Sequence, residues 1–415
     1  MKKIILLSVF LLSISISYSQ EDTLKIDTLR QDALKVYMDA GEYTRREITF
    51  VNYVRDIKEA QLYIISTHRS TGSGGAEYTY YLTGQHEFQG MKDTLYYTSS
   101  VNETYEEQRL GSINVLRLGL ARYVLKTPYA DRISLQYTEP ETEKLVEDKW
   151  NSWIFRASLN GYLNGQKTYK SLSTFGYFEA NKITPDWKLN FDIAYDKNEG
   201  EFKIEDEIIK SVNNGKSLNA HIVKSLGIHW ATGVNTTISS STYTNNKLEY
   251  SLFQAIEFNI FPYSESARKQ ITFMYGVGYI YSHYEDSTIY NKIKENLFGN
   301  KLRVVAEIVQ KWGEIYIRIG WQNYFHDWKK NNLSISGSLR FRMAKGLRFN
   351  FGGGGSLIRD QLSLVKGGQT LEEILLRQKE IETNYRYHLN FGFSYTFGSI
   401  YNNVVNPRLR SGMYF

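Results

Sequence analysis

The sequence contains no cysteine, and its 415 residues include only 5 prolines. Without cysteine the chain can form no disulfide, thiolate nucleophile or cysteine-ligated metal site. Aromatic residues are abundant by contrast, with Tyr 33, Phe 21 and Trp 7, although the mean hydropathy is −0.42. After the first twenty residues there is no apolar run of about twenty residues, which excludes a helical membrane protein.

Charge and histidine spacing give little support to catalysis or nucleic-acid binding. The net charge of +6 is small and dispersed, so we expect no nucleic-acid partner. The 7 histidines show no metal-ligand spacing and no nucleophile–histidine arrangement. We therefore expect a protein that is not an enzyme, with no catalytic, cofactor or metal site.

The first twenty residues have the pattern of a secretory signal peptide. Lys2 and Lys3 precede an apolar run from Ile4 to Ile16, and small polar residues follow up to Gln20. The run is too short to span a bilayer. We expect export, with residues 1–20 as the signal peptide.

Residues 25–139 are expected to form a small periplasmic α/β domain. Short strands are predicted near 33–39, 61–67, 77–85 and 93–98, and helices near 43–56 and 103–125. Ile48, Val51 and Val54 supply the helical spacing of the first helix, and Pro128 ends the second. The glycine-rich stretch from Ser70 to Gly75 is interpreted as a hairpin turn, because it lacks the ending of a phosphate-binding loop.

An acidic linker at 140–148 precedes a region in which the pattern has period two. Between Tyr385 and Phe397 every odd position is apolar or aromatic, and the even positions between them are polar or Gly. Similar alternation recurs from Trp153 onwards and gives about twelve strands. We predict an antiparallel transmembrane β-barrel over 149–398, followed by a tail at 399–415. A soluble β-sandwich is the alternative, since its strands also alternate.

Connections between these strands are expected to alternate in length. Short turns are predicted at 184–186, 226–229, 311–313 and 344–346, with a slightly longer one at 261–269. Longer or more polar excursions are predicted near Asn164 and Asn245 and at 206–216, 285–300, 327–331 and 359–383. Short turns on one side and long loops on the other are typical of outer-membrane barrels.

Charged residues at the inward positions of the strands are the candidate functional residues. The basic set is Arg318, Arg340, Arg342, Arg348 and Arg386, and the acidic set is Asp192, Asp196, Glu249, Glu257 and Glu307. In one interpretation they pair and fill a closed barrel. In the other they line a water-filled constriction that orients a charged solute. The four glycines from Gly352 to Gly355 are interpreted as relieving crowding in a narrow barrel.

The last predicted strand resembles the insertion signal of outer-membrane proteins. The residues that carry the resemblance are Asn390, Gly392, Tyr395 and Phe397. It implies delivery to the barrel-assembly machinery, although such a signal normally closes the chain and here residues 398–415 follow. The whole chain is similar to two-part envelope proteins that join an α/β domain to a barrel, on the phrases EITFVNYVRD, STGSGGAEYTY and FGSIYNNVVNPR.

These patterns favour an outer-membrane protein whose barrel contacts lipid and whose front domain lies in the periplasm. Its expected role is envelope transport or assembly, in which the domain recruits a periplasmic protein partner or gates a pore. A second hypothesis is a non-conducting anchor that presents the domain. An outer-membrane hydrolase is third.

Overall fold

A computed structural model describes residues 32–39, 41–134, 148–204, 207–367 and 379–398. The predicted signal peptide, residues 140–147 of the predicted linker and the predicted tail lie outside the described residues.

The N-terminal region, residues 32–134, is a five-stranded sheet with helices. Its strands are β1 (Lys35–Tyr37), β2 (Asn52–Tyr53), β3 (Leu62–Ser70), β4 (Ala76–Gly84) and β5 (Lys92–Ser99), and its helices are α1 (Glu42–Glu47) and α2 (Tyr105–Val124). The strand order is β2-β1-β3-β4-β5. Strand β1 is parallel to both of its neighbours, and the other pairs are antiparallel. The predicted α/β class is confirmed.

Helix α2 covers one side of this sheet and supplies much of the core. Thr104 caps its start by accepting a hydrogen bond from the Glu107 backbone, while the Glu107 carboxylate accepts one from the Thr104 backbone. Ile113, Leu116 and Leu120 are buried along its inner face. The small sheet therefore has a core of its own.

The helix predicted near 43–56 is shorter than expected. Helix α1 ends at Glu47, and the chain then runs through irregular backbone into β2. Ile48, Val51 and Val54 are all buried, as their apolar character predicted. They lie in an irregular segment, in which Ile48 and Val51 join the main core of the domain and Val54 joins a smaller cluster, so the helical interpretation beyond Glu47 was wrong.

The second region is a single antiparallel sheet of 12 strands in sequence order, from β6 to β17. Its strands are β6 (Trp153–Gln166), β7 (Tyr169–Ile183), β8 (Trp187–Ile204), β9 (Glu207–Ser225), β10 (Trp230–Ser241), β11 (Asn246–Asn259), β12 (Lys269–Tyr284), β13 (Lys294–Gln310), β14 (Gly313–Tyr324), β15 (Asp327–Ala344), β16 (Leu347–Ile358) and β17 (Tyr385–Tyr395). We call it the large sheet.

The two faces of the large sheet differ in composition as the period-two pattern predicted. One face, the convex face, exposes large apolar side chains such as Ile193, Phe273 and Ile335. The opposite face, the concave face, carries the polar residues between them. The cross-strand register keeps each set on its own face, because directly paired residues point the same way.

Contacts across several strands show that the sheet curves round its polar face. The ammonium of Lys301 on β13 lies 4.0 Å from the ring centre of Phe253 on β11, although β12 lies between these strands. One cavity on this side is lined by residues of six successive strands, β8 to β13. No backbone pairing joins the edge strands β6 and β17 among the described residues, so the closed ring of the predicted barrel is not formed.

Connections at one end of the large sheet are short, as predicted. We call this end the domain end. Its turns are 184–186, 226–229, 260–268, 311–312 and 345–346. At the other end, the loop end, only 285–293 and 359–384 are long. The excursions predicted near Asn164, at 206–216 and at 327–331 were wrong, because those residues largely belong to β6, β9 and β15. The ends of these strands extend beyond the apolar zone of the sheet, and their polar composition resembles that of loops. None of the helices in the described ranges is long and apolar enough to cross a membrane.

Candidate functional site: the concave face and its two ends

The N-terminal region contacts the domain end of the large sheet through charged side chains. Arg69, near the end of β3, places its Nη2 atom 3.2 Å from Oε2 of Glu307 on the concave side of β13. The same nitrogen donates to the carbonyl oxygen of Ser266 in the turn between β11 and β12. Glu307 was predicted to face inward, and it does so opposite the domain.

A second set of contacts involves the turn between β15 and β16. Lys345 in this turn pairs with Glu59 of the N-terminal region. The guanidinium carbon of Arg342 lies 4.7 Å from the ring centre of Tyr37, and Arg348 bonds the Tyr37 hydroxyl. Burial raises the pKa of Tyr37 above its ordinary value, although both arginines oppose that shift. Two predicted inward arginines are therefore interface residues.

The hairpin turn between β3 and β4 approaches the first strands of the large sheet. A Cβ atom built on Gly72 would lie 2.7 Å from Cβ of Ile183 at the end of β7, and one on Gly74 would lie 2.6 Å from Nη2 of Arg156 on β6. The small domain thus touches β6 and β7 at one edge and the β15–β16 turn near the other. It covers the mouth of the curved sheet at the domain end.

The two long loops cover the opposite mouth. Thr288 pairs with Val365 in an isolated β-bridge, and the Ile289 backbone donates to the Leu364 carbonyl at 2.8 Å. Nδ2 of Asn245 donates to the carbonyl oxygens of Asp286 and Ser363 at 3.0 and 2.9 Å. Because one amide bridges both long loops, they form a joined cover at the loop end.

Asp360 ties this cover to the interior of the sheet. Its carboxylate accepts hydrogen bonds from Gln322 Nε2 on β14 at 2.6 Å and from Asn332 Nδ2 on β15 at 3.1 Å. Nearby Leu362 and Leu364 are buried. The start of the loop after β16 therefore folds inward and is held by a charge-assisted contact.

Two cavities lie between the covers. The loop-end cavity holds about 260 Å³ and includes Glu249, Tyr324 and Asp360 in its lining. The domain-end cavity, which we call the domain-end chamber, holds about 620 Å³ and includes Lys188 and Glu257.

Lys301 and Phe253 line both cavities and therefore separate them. A cation over an aromatic face at 4.0 Å is an attractive contact, so the two side chains form a bridge across the interior. Gly278 on β12 makes room for it, because a Cβ atom there would collide with the Phe253 ring. The sequence did not predict this bridge, which lies between the two cavities.

The ten predicted inward charges all lie on the concave face, but they do not pair with one another. Arg340 pairs with Glu314 on the neighbouring strand, and Arg318 lies over the Tyr316 ring. Asp192 accepts from Asn219 at 2.8 Å, and Glu257 accepts from the Tyr263 hydroxyl at 2.9 Å. Among the described residues, the basic and acidic walls expected to oppose one another therefore form no ion pairs across the interior; Arg340 pairs with Glu314 and Glu307 with Arg69 of the domain.

The remaining predicted charges lie at separate places on the same face. Asp196 lies beside Gly215 on β9, Glu249 accepts from Asn246 at 3.3 Å, and Arg386 is paired in register with Ser356. The residues that sequence reasoning missed are Lys188, His221, Lys301 and Arg303, which line the domain-end chamber. The available signal was that each of these residues occupies an inward position in a strand whose sequence alternates with period two.

Residues of the proposed insertion signal lie on or just after β17. Asn390, Gly392 and Tyr395 belong to the strand, and Phe397 follows it and stacks on Tyr395 with ring centres 5.5 Å apart. Tyr395 and Phe397 are both largely exposed on the convex face. Asn390 lies on the concave face beside Gly352. A Cβ atom built on Gly352 would collide with the Asn390 side chain. This crowding agrees with the interpretation of the glycine run on β16.

Metal-binding geometry is not found in the part of the chain that the structure describes, where no cluster of three or more His, Asp or Glu residues could hold an ion.

Comparisons with known proteins give matches among solved structures. No family model matches the chain, and no curated protein matches it. Among solved structures, it is similar to the NanC porin in a rhombohedral crystal form, with 11% identity and a TM-score of 0.29. That match covers 58% of this chain and 99% of the porin chain.

Proposed function

We propose that the chain is an outer-membrane β-barrel protein whose N-terminal domain lies on the periplasmic side and gates an interior passage, in transport or assembly of the cell envelope. The supporting observation is a polar concave face that carries cavities, is backed by an apolar convex face and is covered at both ends. An outer face of exposed aromatic and aliphatic side chains suits lipid, whereas the interior suits water and solutes.

The contacts between the domain and the large sheet support gating rather than permanent closure. Arg69–Glu307 and Lys345–Glu59 are partly exposed ion pairs. Such pairs contribute about 0.2–1 kcal/mol each and weaken with salt. A domain held by contacts of this size can leave the mouth without unfolding.

A non-conducting anchor is the second candidate, and the loop end favours it. The loop after β16 is tied into the interior through Asp360, and the loop between β12 and β13 is joined to it. If this cover does not move, the barrel serves only to hold the domain at the membrane.

Conductance in planar bilayers distinguishes the two candidates. In the double variant Arg69→Ala, Lys345→Ala, we expect the open fraction to rise about two- to tenfold, from the loss of two weak pairs. The matched control is Lys92→Ala, Lys126→Ala, which removes two exposed lysines of the same domain.

The anchor is supported instead if the double variant is silent and remains silent when Asp360→Ala is added. Heat-modifiable gel mobility of each variant confirms that the barrel has folded.

A further inference from the structure

The domain-end chamber has an excess of basic side chains. Lys188, His221, Lys301 and Arg303 line it, and Glu257 is the acidic residue among its lining residues. These residues come from four strands, β8, β9, β11 and β13, so the sheet's curvature brings them together. Lys188, Arg303 and Glu257 lie close enough to act electrostatically on His221.

The acidic residues near the chamber are already engaged. Glu257 accepts a hydrogen bond from Tyr263, and Glu307 pairs with Arg69 of the domain. Glu249 acts on Lys301 from the loop-end cavity. Within the described ranges, the ion pairs formed by the chain include neither Lys188 nor Arg303. The lining therefore carries three cationic side chains, Lys188, Lys301 and Arg303, against the one carboxylate of Glu257, which leaves the chamber with a net positive charge.

The size and the remaining lining suit an organic molecule rather than a bare ion. A volume of about 620 Å³ is in the range of small-molecule sites. Val223, Ala255 and Met274 add apolar wall, while Gly233 and Gly276 keep the interior open. The lining combines a few charged groups with apolar surface, which is typical of sites that orient a ligand through its charge.

The ends of the chamber allow it to hold a solute. The bridge of Lys301 and Phe253 forms its boundary with the loop-end cavity. At the other end, Tyr263 lies in the turn between β11 and β12, the same turn that contacts Arg69 through Ser266. Movement of the domain would therefore change access to the chamber directly.

We propose that this chamber is a binding site for a small organic anion, one that carries a phosphate or carboxylate group. The proposal rests on the proposed function, because it names the class of solute that the gated interior holds. Lys301 and Arg303 bind the anionic group, and the apolar wall contacts the organic part.

Isothermal titration calorimetry on the detergent-solubilised full chain tests the proposal without requiring conductance. The probes are glucose 6-phosphate and gluconate, with neutral glucose as the uncharged comparison. We expect one or both anions to bind and glucose to give no heat of binding. The two anions show whether a phosphate or a carboxylate is preferred.

The double variant Lys301→Gln, Arg303→Gln should weaken anion binding at least about tenfold, from the loss of two charge-assisted contacts. Arg318→Gln is the matched control, since Arg318 lies on the same concave face outside the chamber lining. Arg303→Lys, which keeps the charge, should retain most of the affinity and guards against misfolding of the double variant.

Failure of both anions to bind the wild-type chain would overturn the site, as would unchanged affinity in the double variant. Either outcome leaves the conductance test of the gate unaffected. Conversely, a silent barrel that binds an anion through Lys301 and Arg303 would retain the site and contradict the passage.

Discussion

Nη2 of Arg69 lies 3.2 Å from Oε2 of Glu307, although 238 positions separate the two residues. Arg69 belongs to the small domain, and Glu307 points from β13 into the polar interior of the large sheet. The contact places an arginine of the domain against the concave face of the sheet rather than its convex face. In the proposed function, undocking of the domain therefore opens access to the interior.

Locking the domain in place should close the passage. Because the chain has no native cysteine, Gly72→Cys with Ile183→Cys creates a single pair, and a Cβ atom at 72 would lie close to Cβ of Ile183. We expect a disulfide to form under oxidation and to abolish the conductance that a reducing agent restores. Conductance is recorded from the same sample before and after reduction.

Gly41→Cys with Ile183→Cys is the control for that lock, since a Cβ atom at Gly41 would meet nothing within 4 Å. Equal cross-linking of both pairs would show that the domain has no fixed position.

The buried face of α2 should carry most of the domain's stability. Leu116 is 2% exposed, whereas Leu118 on the same helix is 68% exposed. Leu116→Ala should lower the free energy of domain unfolding by about 2–5 kcal/mol, and Leu118→Ala by less than about 0.5 kcal/mol. Pulse proteolysis in urea measures both, and equal losses would argue against the helix packing.

The stability of the domain should fall at high pH. Burial, aided by a hydrogen bond to Asp93 at 2.9 Å, raises the pKa of Tyr123 above its ordinary value of 10.0. A raised folded-state pKa gives stability that is fully present below pH 10 and is lost as the pH rises toward the folded-state pKa. Tyr123→Phe should cost about 1 kcal/mol at pH 8, and its deficit should shrink at pH 11.

Urea unfolding at the two pH values, followed by proteolysis of the domain, measures that difference. A deficit that grows between pH 8 and pH 11 would contradict the assignment to Tyr123.

The end of β17 should determine delivery to the outer membrane. Tyr395→Ser with Phe397→Ser removes two exposed aromatic residues at the domain end of the strand. We expect the variant to be degraded in the periplasm, with outer-membrane levels reduced several-fold on a quantitative immunoblot. Tyr385→Ser with Tyr387→Ser changes the same face at the other end of the strand and should have the smaller effect. Equal membrane levels of both variants would exclude a signal.

Alternation could be predicted from the sequence because it is a local property of a strand. Ile335 and Ser336 point to opposite faces whatever their neighbours are, so the faces of β15 follow from order alone. The start of β9 was missed for the opposite reason. Most of its residues 207–216 are polar or Gly, with Ile208, Ile209 and Val212 among them, and their pairing with β8 and β10 is formed through backbone groups that composition does not reveal.

Contacts between distant segments could not be predicted. The bridge from Lys301 to Phe253 depends on the register of three strands and on Gly278, which keeps the ring's place open. Arg342 and Arg348 lie on the concave face, and their partner Tyr37 lies in another domain. Sequence order specifies which face a side chain occupies but not which residue meets it there.

The central claim is that the convex face contacts lipid and the concave face contacts water. Single cysteines introduced at each position from Leu333 to Arg342 and labelled with a nitroxide test it in reconstituted bilayers, since no native cysteine interferes. We predict that accessibility to oxygen peaks at Leu333, Ile335, Leu339 and Phe341, while accessibility to a water-soluble nickel chelate peaks at the even positions between them. Equal access of the nickel chelate to odd and even positions would contradict the account.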